Sequence, residues 1–260
     1  MYDHRAMRWL LLRGLVREQR HWLDFPTAFA AGVHTSDGPT RVVTLDLPGF
    51  GTETATPVPP TVGGFTDLLR AHWRRDATPG EPAGIFAVSL GGMVALDWLA
   101  RFPADFSAGV IVNSSLADLS PPWQRMLPHN WPRVFVAPLL ATRARERMLL
   151  GMTRSHGDLE RDADRYAAIA ADTRPRRSSA AGQLRAAMRM RCPARLDVPA
   201  LVLTSRGDRL VSWRCSEAIA TRLGLPMRVH ETAGHDLPLD APDWVCGQVS
   251  DWLCHPPHPR

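Results

Sequence analysis

The stretch FAVSLGGMVALDW, residues 86–98, places one serine, Ser89, between a short apolar run and a run with helical spacing. Small residues lie two positions before and after this serine, Ala87 and Gly91, and Gly92 follows. A sharp turn from a strand into a helix forces its central residue into a strained backbone conformation, and only small residues fit at the flanking positions. The start of the helix also supplies free backbone N–H groups. The stretch therefore predicts a nucleophilic serine in preference to a helix cap or a surface hydroxyl.

Strand and helix patterns alternate on both sides of this turn. Short apolar or β-rich runs predict six strands, at residues 9–12, within 41–51 before Pro48, and at 83–88, 108–113, 199–205 and 227–233. Helical spacing occupies about 20–32, 64–75, 91–102, 213–223 and 241–253. Such alternation is typical of an α/β protein with a mostly parallel sheet that is covered by helices on both faces.

One long stretch interrupts the alternation. Residues 117–196 contain no good strand pattern, and the parts around 131–152, 158–172 and 178–190 have helical spacing. We therefore predict a core of residues 1–116 and 197–254, a helical insertion at 117–196 after the strand that ends near Asn113, and a disordered tail at 255–260. The insertion is rich in arginine, with 15 of these residues.

The composition excludes several functional classes. The 260 residues are 45% hydrophobic and 22% charged, and every basic residue is arginine, for a net charge of +5. No nucleic-acid-binding motif accompanies that charge. The four cysteines form no C-x-x-C pair and no zinc-like spacing with histidine, so we expect no metal and no cofactor. The apolar run near the N-terminus has four residues, too short for a signal peptide or a membrane span, and we expect a cytoplasmic protein with no membrane partner.

Five ordered motifs resemble those of the α/β-hydrolase fold. The serine turn has the form A-x-S-x-G-G, close to the family's nucleophile elbow. The other four motifs are similar to the oxyanion loop, the loop after the next strand, the acid turn and the histidine loop: LLLRGLVREQRHW (10–22), LDLPGFG (45–51), SRGDRLVS (205–212) and AGHDLPLDAPDWV (233–245). The resemblance implies an α/β-hydrolase core with the insertion as a helical cap.

The resemblance also implies site residues. It makes Ser89 the nucleophile, Asp208 the orienting acid and His235 the base, in the chain order expected for this fold. The backbone N–H groups of Leu15 and Leu90 would form the oxyanion hole. Arg13 stands where the family normally has histidine, so the support of this loop must differ.

Alternatives exist for the acid and the base. Asp118 follows the strand after the nucleophile helix, a place that some relatives use for the acid. Asp236 is expected to point away from His235 if that ring faces the serine, and Asp240 fits a helix N-cap. The histidines His21 and His230 lie in helix and strand patterns, where a structural position is more common.

A serine nucleophile favours acyl transfer to water over reactions that require a carboxylate nucleophile. The resemblance points to a carboxylesterase for small to medium acyl esters, and the cap is similar to that of the esterases that cleave pimeloyl-acyl-carrier-protein methyl ester. Two alternatives remain: another triad reaction such as C–C bond hydrolysis or a lyase-type reaction, and a non-catalytic binding module.

The insertion supplies candidate binding residues. Five apolar side chains are predicted to line the substrate pocket: Trp123, Met126, Leu127, Trp131 and Phe135. Six arginines could steer an acidic acyl carrier protein towards the site: Arg143, Arg145, Arg147, Arg154, Arg161 and Arg165. The competing interpretation is that these arginines are an ordinary solvated helix surface.

Overall fold

A computed structural model describes residues 7–33, 40–76 and 80–255. Six strands form one sheet: β1 (Arg8–Leu12), β2 (Arg41–Leu45), β3 (Ala83–Val88), β4 (Ala108–Val112), β5 (Ala200–Ser205) and β6 (Met227–His230). Their order is β2-β1-β3-β4-β5-β6, and every neighbouring pair is parallel. The predicted fold class, a parallel six-stranded sheet flanked by helices, is confirmed.

Both faces of the sheet are buried because side chains alternate along each strand. On β1, Trp9 and Leu11 pack with Phe86 against the side that carries α1 and the C-terminal helix. Leu10 and Leu12 pack on the opposite face, against the helices that follow β2 and β3. This two-sided burial explains why the strands appear in the sequence as continuous apolar runs.

The helices of the core follow the strands in sequence. They are α1 (Phe25–Gly32), α2 (Val62–Arg75), α3 (Leu90–Arg101), α9 (Trp213–Leu223), α10 (Leu237–Asp240) and α11 (Pro242–Cys254). Because the strands are parallel, their carboxyl ends and the loops that follow them meet at one edge of the sheet. That edge carries the loops after β1, β3, β5 and β6.

Five further helices lie between β4 and β5, and we call them the inserted helices. They are α4 (Pro122–Arg125), α5 (Trp131–Val136), α6 (Thr142–Thr153), α7 (Leu159–Thr173) and α8 (Arg177–Arg189). The single helix expected around 131–152 is two helices, since the chain forms a short 3-10 turn at Ala137–Leu139. Pro138 in that turn lacks the N–H that a continuous α-helix would need.

Three further features are the C-terminal tail, the four cysteines and the length of the apolar helices. Beyond His255 the expected disordered tail lies outside the described residues. All four cysteines are free thiols. Among the helices of the described segments, none combines the length and the apolar character that crossing a bilayer requires.

Candidate active site

Ser89 occupies a tight turn between β3 and α3. Its backbone lies at φ 57° and ψ −115°, in the left-handed range that non-glycine residues rarely adopt, and its N–H donates to the carbonyl of Val112 at 2.8 Å. A Cβ at Gly91 would lie 2.6 Å from the carbonyl oxygen of Arg13, so no side chain fits there. The close approach of these two loops therefore explains the small residue two positions after Ser89.

His235 and Asp208 form a buried pair beside this turn. The Nδ1 atom of His235 lies 2.7 Å from Oδ2 of Asp208. The other carboxylate oxygen of Asp208 accepts hydrogen bonds from the N–H groups of Leu210 and Val211 at 2.8 and 2.9 Å. These bonds fix the carboxylate, which in turn fixes the orientation of the imidazole and leaves Nε2 as its outward-facing nitrogen.

The rival acid is placed elsewhere. Asp118 is exposed, and its carboxylate accepts a hydrogen bond from the backbone N–H of Cys192 at 2.9 Å. Its partner is therefore the end of the insertion, and no contact joins it to His235 among the residues that the structure describes.

A cavity of about 100 Å³ brings Ser89 and His235 together. Its wall is mostly apolar and combines core loops with inserted helices: Arg13, Gly14, Leu15, Val16, Arg17, Val88, Met126, Val134, Leu149, Met152, Thr153, Leu210 and Asp236 complete the lining. Within the described chain the Ser89 hydroxyl forms no hydrogen bond of its own. Such bonds are often long in a free enzyme and tighten when substrate binds.

Two backbone N–H groups near Ser89 are available to a ligand. Leu15 lines the cavity after β1, and Leu90 is the first residue of α3. Neither N–H donates a hydrogen bond within the described segments, whereas most buried backbone groups are paired. The two groups are thus free to stabilise negative charge beside the serine.

The loop that carries Leu15 is anchored from the insertion. Val16 is β-branched and adopts a φ of 55°, a genuinely strained conformation for such a residue. Its N–H donates to Oε1 of Gln183 on α8 at 3.0 Å, and the amide of Gln183 donates to the carbonyl of Pro48 at 3.0 Å. Gln183 is fully buried, so one side chain of the insertion holds two core loops.

Arg13 and Asp236 join the loop after β1 to the loop after β6. The guanidinium donates two parallel hydrogen bonds to the carboxylate, at 2.8 and 2.7 Å, and both residues are buried. Burial would raise the pKa of Asp236, but the Arg13 guanidinium holds it below its ordinary value. Arg13 precedes Gly14 and Leu15, and Asp236 follows His235, so this pair fixes the spacing of both loops. Asp236 points away from the imidazole, as expected from the sequence.

The sequence analysis did not predict the contacts of two polar residues in the site region. Asn113 adopts a φ of 45° after β4, and its amide donates to the carbonyl of His235 at 2.8 Å. Asp240, expected as a helix N-cap, accepts from the N–H of Gly234 and from that of Ser155, both at 2.7 Å, while α11 begins after Ala241 without a side-chain cap. The only available signals were an asparagine at a strand end and a carboxylate five residues after His235.

The predicted substrate-binding residues are divided between the cavity and the surface. Met126 lines the cavity. Leu127 is half-buried and lies outside its lining, and Trp123, Trp131 and Phe135 are 56%, 42% and 79% exposed. The inward position of α5 is Val134 instead, since adjacent helical residues point about 100° apart.

The six arginines expected to form a free basic surface are mostly paired within the insertion. Arg143 and Arg147 bind acids on α7, Arg145 contacts Glu146, and Arg154 is buried between Asp162 and Asp240. Arg161 and Arg165 are exposed and form no ion pair among the described residues.

No group of three or more histidine, cysteine, aspartate and glutamate side chains could hold a metal ion within residues 7–33, 40–76 and 80–255.

The chain resembles many solved structures in fold. The enol-lactonase from Burkholderia xenovorans LB400 matches with a TM-score of 0.72 and 20% identity, over 96% of this chain and 92% of that chain. A thermophilic esterase from Thermogutta terrifontis matches with a TM-score of 0.69 and 19% identity, over 96% and 90%. The 2-hydroxy-6-oxo-6-phenylhexa-2,4-dienoate hydrolase from Rhodococcus sp. strain RHA1 matches with a TM-score of 0.73 and 18% identity, over 97% and 92%.

At this level of identity the structural matches establish the fold alone. None of the curated proteins compared with the chain matches it. The model of the alpha/beta hydrolase family, however, matches residues 9–248. That range includes the serine turn, the Asp208 turn and the His235 loop, and the chain therefore belongs to the alpha/beta hydrolase family.

Proposed function

We propose that the protein is a carboxylesterase that hydrolyses small to medium acyl esters through Ser89, His235 and Asp208. The Ser89 hydroxyl attacks the ester carbonyl while Nε2 of His235 takes its proton. The N–H groups of Leu15 and Leu90 stabilise the oxyanion of the tetrahedral intermediate. Collapse of this intermediate expels the alcohol, which receives the proton from His235, and leaves an acyl-serine. Water, deprotonated by the same imidazole, then releases the acid.

The observation that carries this proposal is the buried 2.7 Å contact of Asp208 with His235, where His235 lines the cavity that contains Ser89. A nucleophile, an oriented base and unpaired N–H donors at one cavity are the parts that acyl transfer requires. The strained backbone of Ser89 supports the same role, because strain of this kind persists where function requires it.

The inserted helices act in this proposal as a cap over the acyl pocket. Met126, Val134, Leu149 and Met152 come from α4–α6 and their connections and form an apolar wall opposite Ser89. A cavity of about 100 Å³ is small beside ordinary ligand pockets. We therefore expect the highest kcat/KM for short acyl chains.

A series of p-nitrophenyl esters with acyl chains of two to twelve carbons tests both the activity and the chain length. We expect hydrolysis to be fastest among the short members. Absence of hydrolysis across the series would contradict the proposed esterase activity.

Ser89→Ala tests the nucleophile directly. We expect turnover to fall by at least about 10³-fold, since the oxyanion hole and binding alone give only residual catalysis. A fluorophosphonate should label the wild-type protein at Ser89, which peptide mass spectrometry would locate. Circular dichroism provides the folding control, and labelling that persists at another serine in the variant would contradict the assignment.

C–C bond hydrolysis is the second candidate, supported by the fold match to a hydrolase of that class. A serine and a histidine in this arrangement also suit C–C bond hydrolysis, so the substrate screen includes a vinylogous 1,5-diketone beside the esters. A preference for the diketone over every ester would favour this reaction. Action on pimeloyl-acyl-carrier-protein methyl ester and a cytoplasmic location stay predictions.

A further inference from the structure

Arg17 lies on the cavity wall, and its guanidinium has a hydrogen-bond partner for only one of its nitrogens among the described residues. The residue is 7% exposed and lines the same cavity as Ser89 and His235. One guanidinium nitrogen donates to Oε2 of Glu146 at 2.7 Å. The other guanidinium N–H groups form no hydrogen bond within the described residues. A buried guanidinium whose N–H groups lack partners is unusual in the wall of a pocket that is otherwise mostly apolar.

The carboxylate that pairs with Arg17 also contacts a second arginine. The other arginine on the cavity wall, Arg13, donates to both oxygens of Asp236, and its Nε has no partner among the described residues. Glu146 lies behind Arg17 and is shared, because its second oxygen contacts Nε of Arg145 at 3.2 Å. One carboxylate thus serves two guanidinium groups. Arg17 also lies over the ring of Tyr166, with 4.9 Å from the guanidinium carbon to the ring centroid, which holds its plane in place.

We propose that Arg17 binds a carboxylate of the substrate, so that the preferred substrates are esters of short dicarboxylic acids with one free carboxylate. This inference rests on the proposed esterase function and names its substrate class. The fork of a guanidinium matches a carboxylate geometrically, and a charge-assisted hydrogen bond in a water-poor cavity discriminates strongly against an uncharged group. The small cavity requires the carboxylate to lie only a few carbons from the scissile carbonyl.

Two nearly isosteric esters test this specificity. Monomethyl glutarate carries the carboxylate, and methyl 5-methylhexanoate carries an uncharged isopropyl group of the same shape. Methanol release gives kcat/KM for each, and their ratio is the readout. We expect a ratio above about 10 in the wild type, which corresponds to one charge-assisted hydrogen bond.

Three substitutions separate carboxylate binding from a purely structural role of Arg17 in the ion pair with Glu146 on α6. Arg17→Gln should lower the ratio by about 10-fold or more because the cation is lost. Glu146→Gln should raise it, since the competing carboxylate is removed and Arg17 keeps its charge. Arg145→Gln is the matched control, because it alters a partner of the same Glu146 outside the cavity, and it should change the ratio by less than about 3-fold.

If Arg17 only anchors α6, the Arg17→Gln and Glu146→Gln variants should lose activity on both esters together and leave the ratio unchanged, which would overturn the proposal. The double variant Arg17→Gln/Glu146→Gln avoids an unpaired buried charge if a single variant fails to fold. It should show the low ratio of Arg17→Gln.

A binding measurement separates this inference from the esterase proposal. Calorimetric titration of Ser89→Ala with monomethyl glutarate measures binding without turnover. Weaker binding of monomethyl glutarate in Ser89→Ala/Arg17→Gln than in Ser89→Ala supports the carboxylate subsite even if no ester is hydrolysed. Equal binding of the charged and uncharged esters would overturn it even if both are good substrates for the wild type.

Discussion

The carboxylate of Asp208 makes separate contacts with its two oxygens, one with backbone N–H groups and one with His235. In Asp208→Asn the amide has a single acceptor oxygen. When that oxygen accepts from the N–H groups of Leu210 and Val211, the NH2 group faces Nδ1 of His235 and favours the wrong tautomer, with the proton on Nε2. We expect turnover to fall by about 10³- to 10⁴-fold with little change in the fold.

Asp118→Asn is the matched control for Asp208→Asn, since it makes the same chemical change at the other candidate acid. Steady-state kinetics on one p-nitrophenyl ester compares the two variants. A large loss in Asp118→Asn with a small loss in Asp208→Asn would show that the acid was assigned wrongly.

Single residues differ in how far the sequence reveals them. Ser89 can be recognised from its small neighbours because these lie next to it in sequence, although the atoms that exclude a side chain at Gly91 belong to Leu12 and Arg13. Asn113 is held by a contact with the carbonyl of His235 after a different strand, and Asp240 by contacts with Arg154 and Ser155 of the insertion. Nothing in the local pattern around either residue encodes such a partner, so the sequence could not predict their contacts.

At the scale of elements, the loops after β1 and β6 depend on the pair between Arg13 and Asp236. Arg13→Met should lower the free energy of unfolding by about 3–5 kcal/mol because a buried carboxylate loses its partner. Arg13→Met/Asp236→Leu should recover much of that loss, since replacing both charges by apolar groups is often nearly neutral. Chemical denaturation of the two variants measures the difference.

The same double variant separates stability from the placement of the loops. If the ion pair fixes the distance between the oxyanion loop and His235, the double variant should fold well and still have a reduced kcat. Wild-type kcat in a stable double variant would contradict that positioning and leave the pair a role in stability alone.

The pair between Arg13 and Asp236 also predicts a pH dependence. The pKa of Asp236 is lowered in the folded protein by Arg13. A depressed folded-state pKa gives stability that is fully present above the ordinary pKa of aspartate, about 4, and that is lost as the pH falls through the lowered value. The free energy of unfolding should therefore fall more steeply below about pH 4 in the wild type than in Arg13→Met/Asp236→Leu.

Strands and helices were predicted well where one hydrophobic period dominates the sequence. The four central strands are buried on both faces and have continuous apolar runs, the edge strands β2 and β6 are partly exposed, and all six are confirmed. Within the insertion α4 and α5 are short, and contacts of this part come from the core, as in the hydrogen bond from the N–H of Leu127 to the carbonyl of Leu210 at 2.9 Å. Periodicity therefore indicated helices there without indicating the break at Ala137–Leu139 or which side of α5 faces Ser89.

At the scale of the whole molecule, the arginine excess of the insertion is a poor measure of its surface potential. Arg143 and Arg147 are neutralised by Glu160 and Asp164 on the neighbouring helix, and Arg154 is buried. Net charge can be read from the sequence, but the pairing of charges depends on which helices meet. Among the six candidate arginines, the free charges are thus Arg161 and Arg165 on α7. Further arginines of the insertion are exposed without an ion pair among the described residues: Arg133, Arg174, Arg176, Arg185, Arg189 and Arg191.

Electrostatic steering of an acidic acyl carrier protein would have to act through these exposed, unpaired arginines. Steering raises the association rate at low ionic strength and weakens steeply as the Debye length shrinks from about 30 Å at 0.01 M to about 8 Å at 0.15 M salt. Hydrolysis of a free neutral methyl ester should barely respond over the same range. If an acyl carrier protein is the natural donor, kcat/KM for the carrier-bound methyl ester should fall with salt by about 10-fold or more.

Arg161→Gln/Arg165→Gln should lower this salt sensitivity, because it removes two of the exposed charges that no acid of the described chain neutralises. Arg74→Gln/Arg75→Gln makes the same change in net charge on α2 of the core and should keep the sensitivity. Equal salt dependence for the carrier-bound and free esters in the wild type would contradict an acyl carrier partner. The paired arginines of the insertion would then be explained by the contact between α6 and α7 alone, since the same acids that neutralise Arg143 and Arg147 join those two helices.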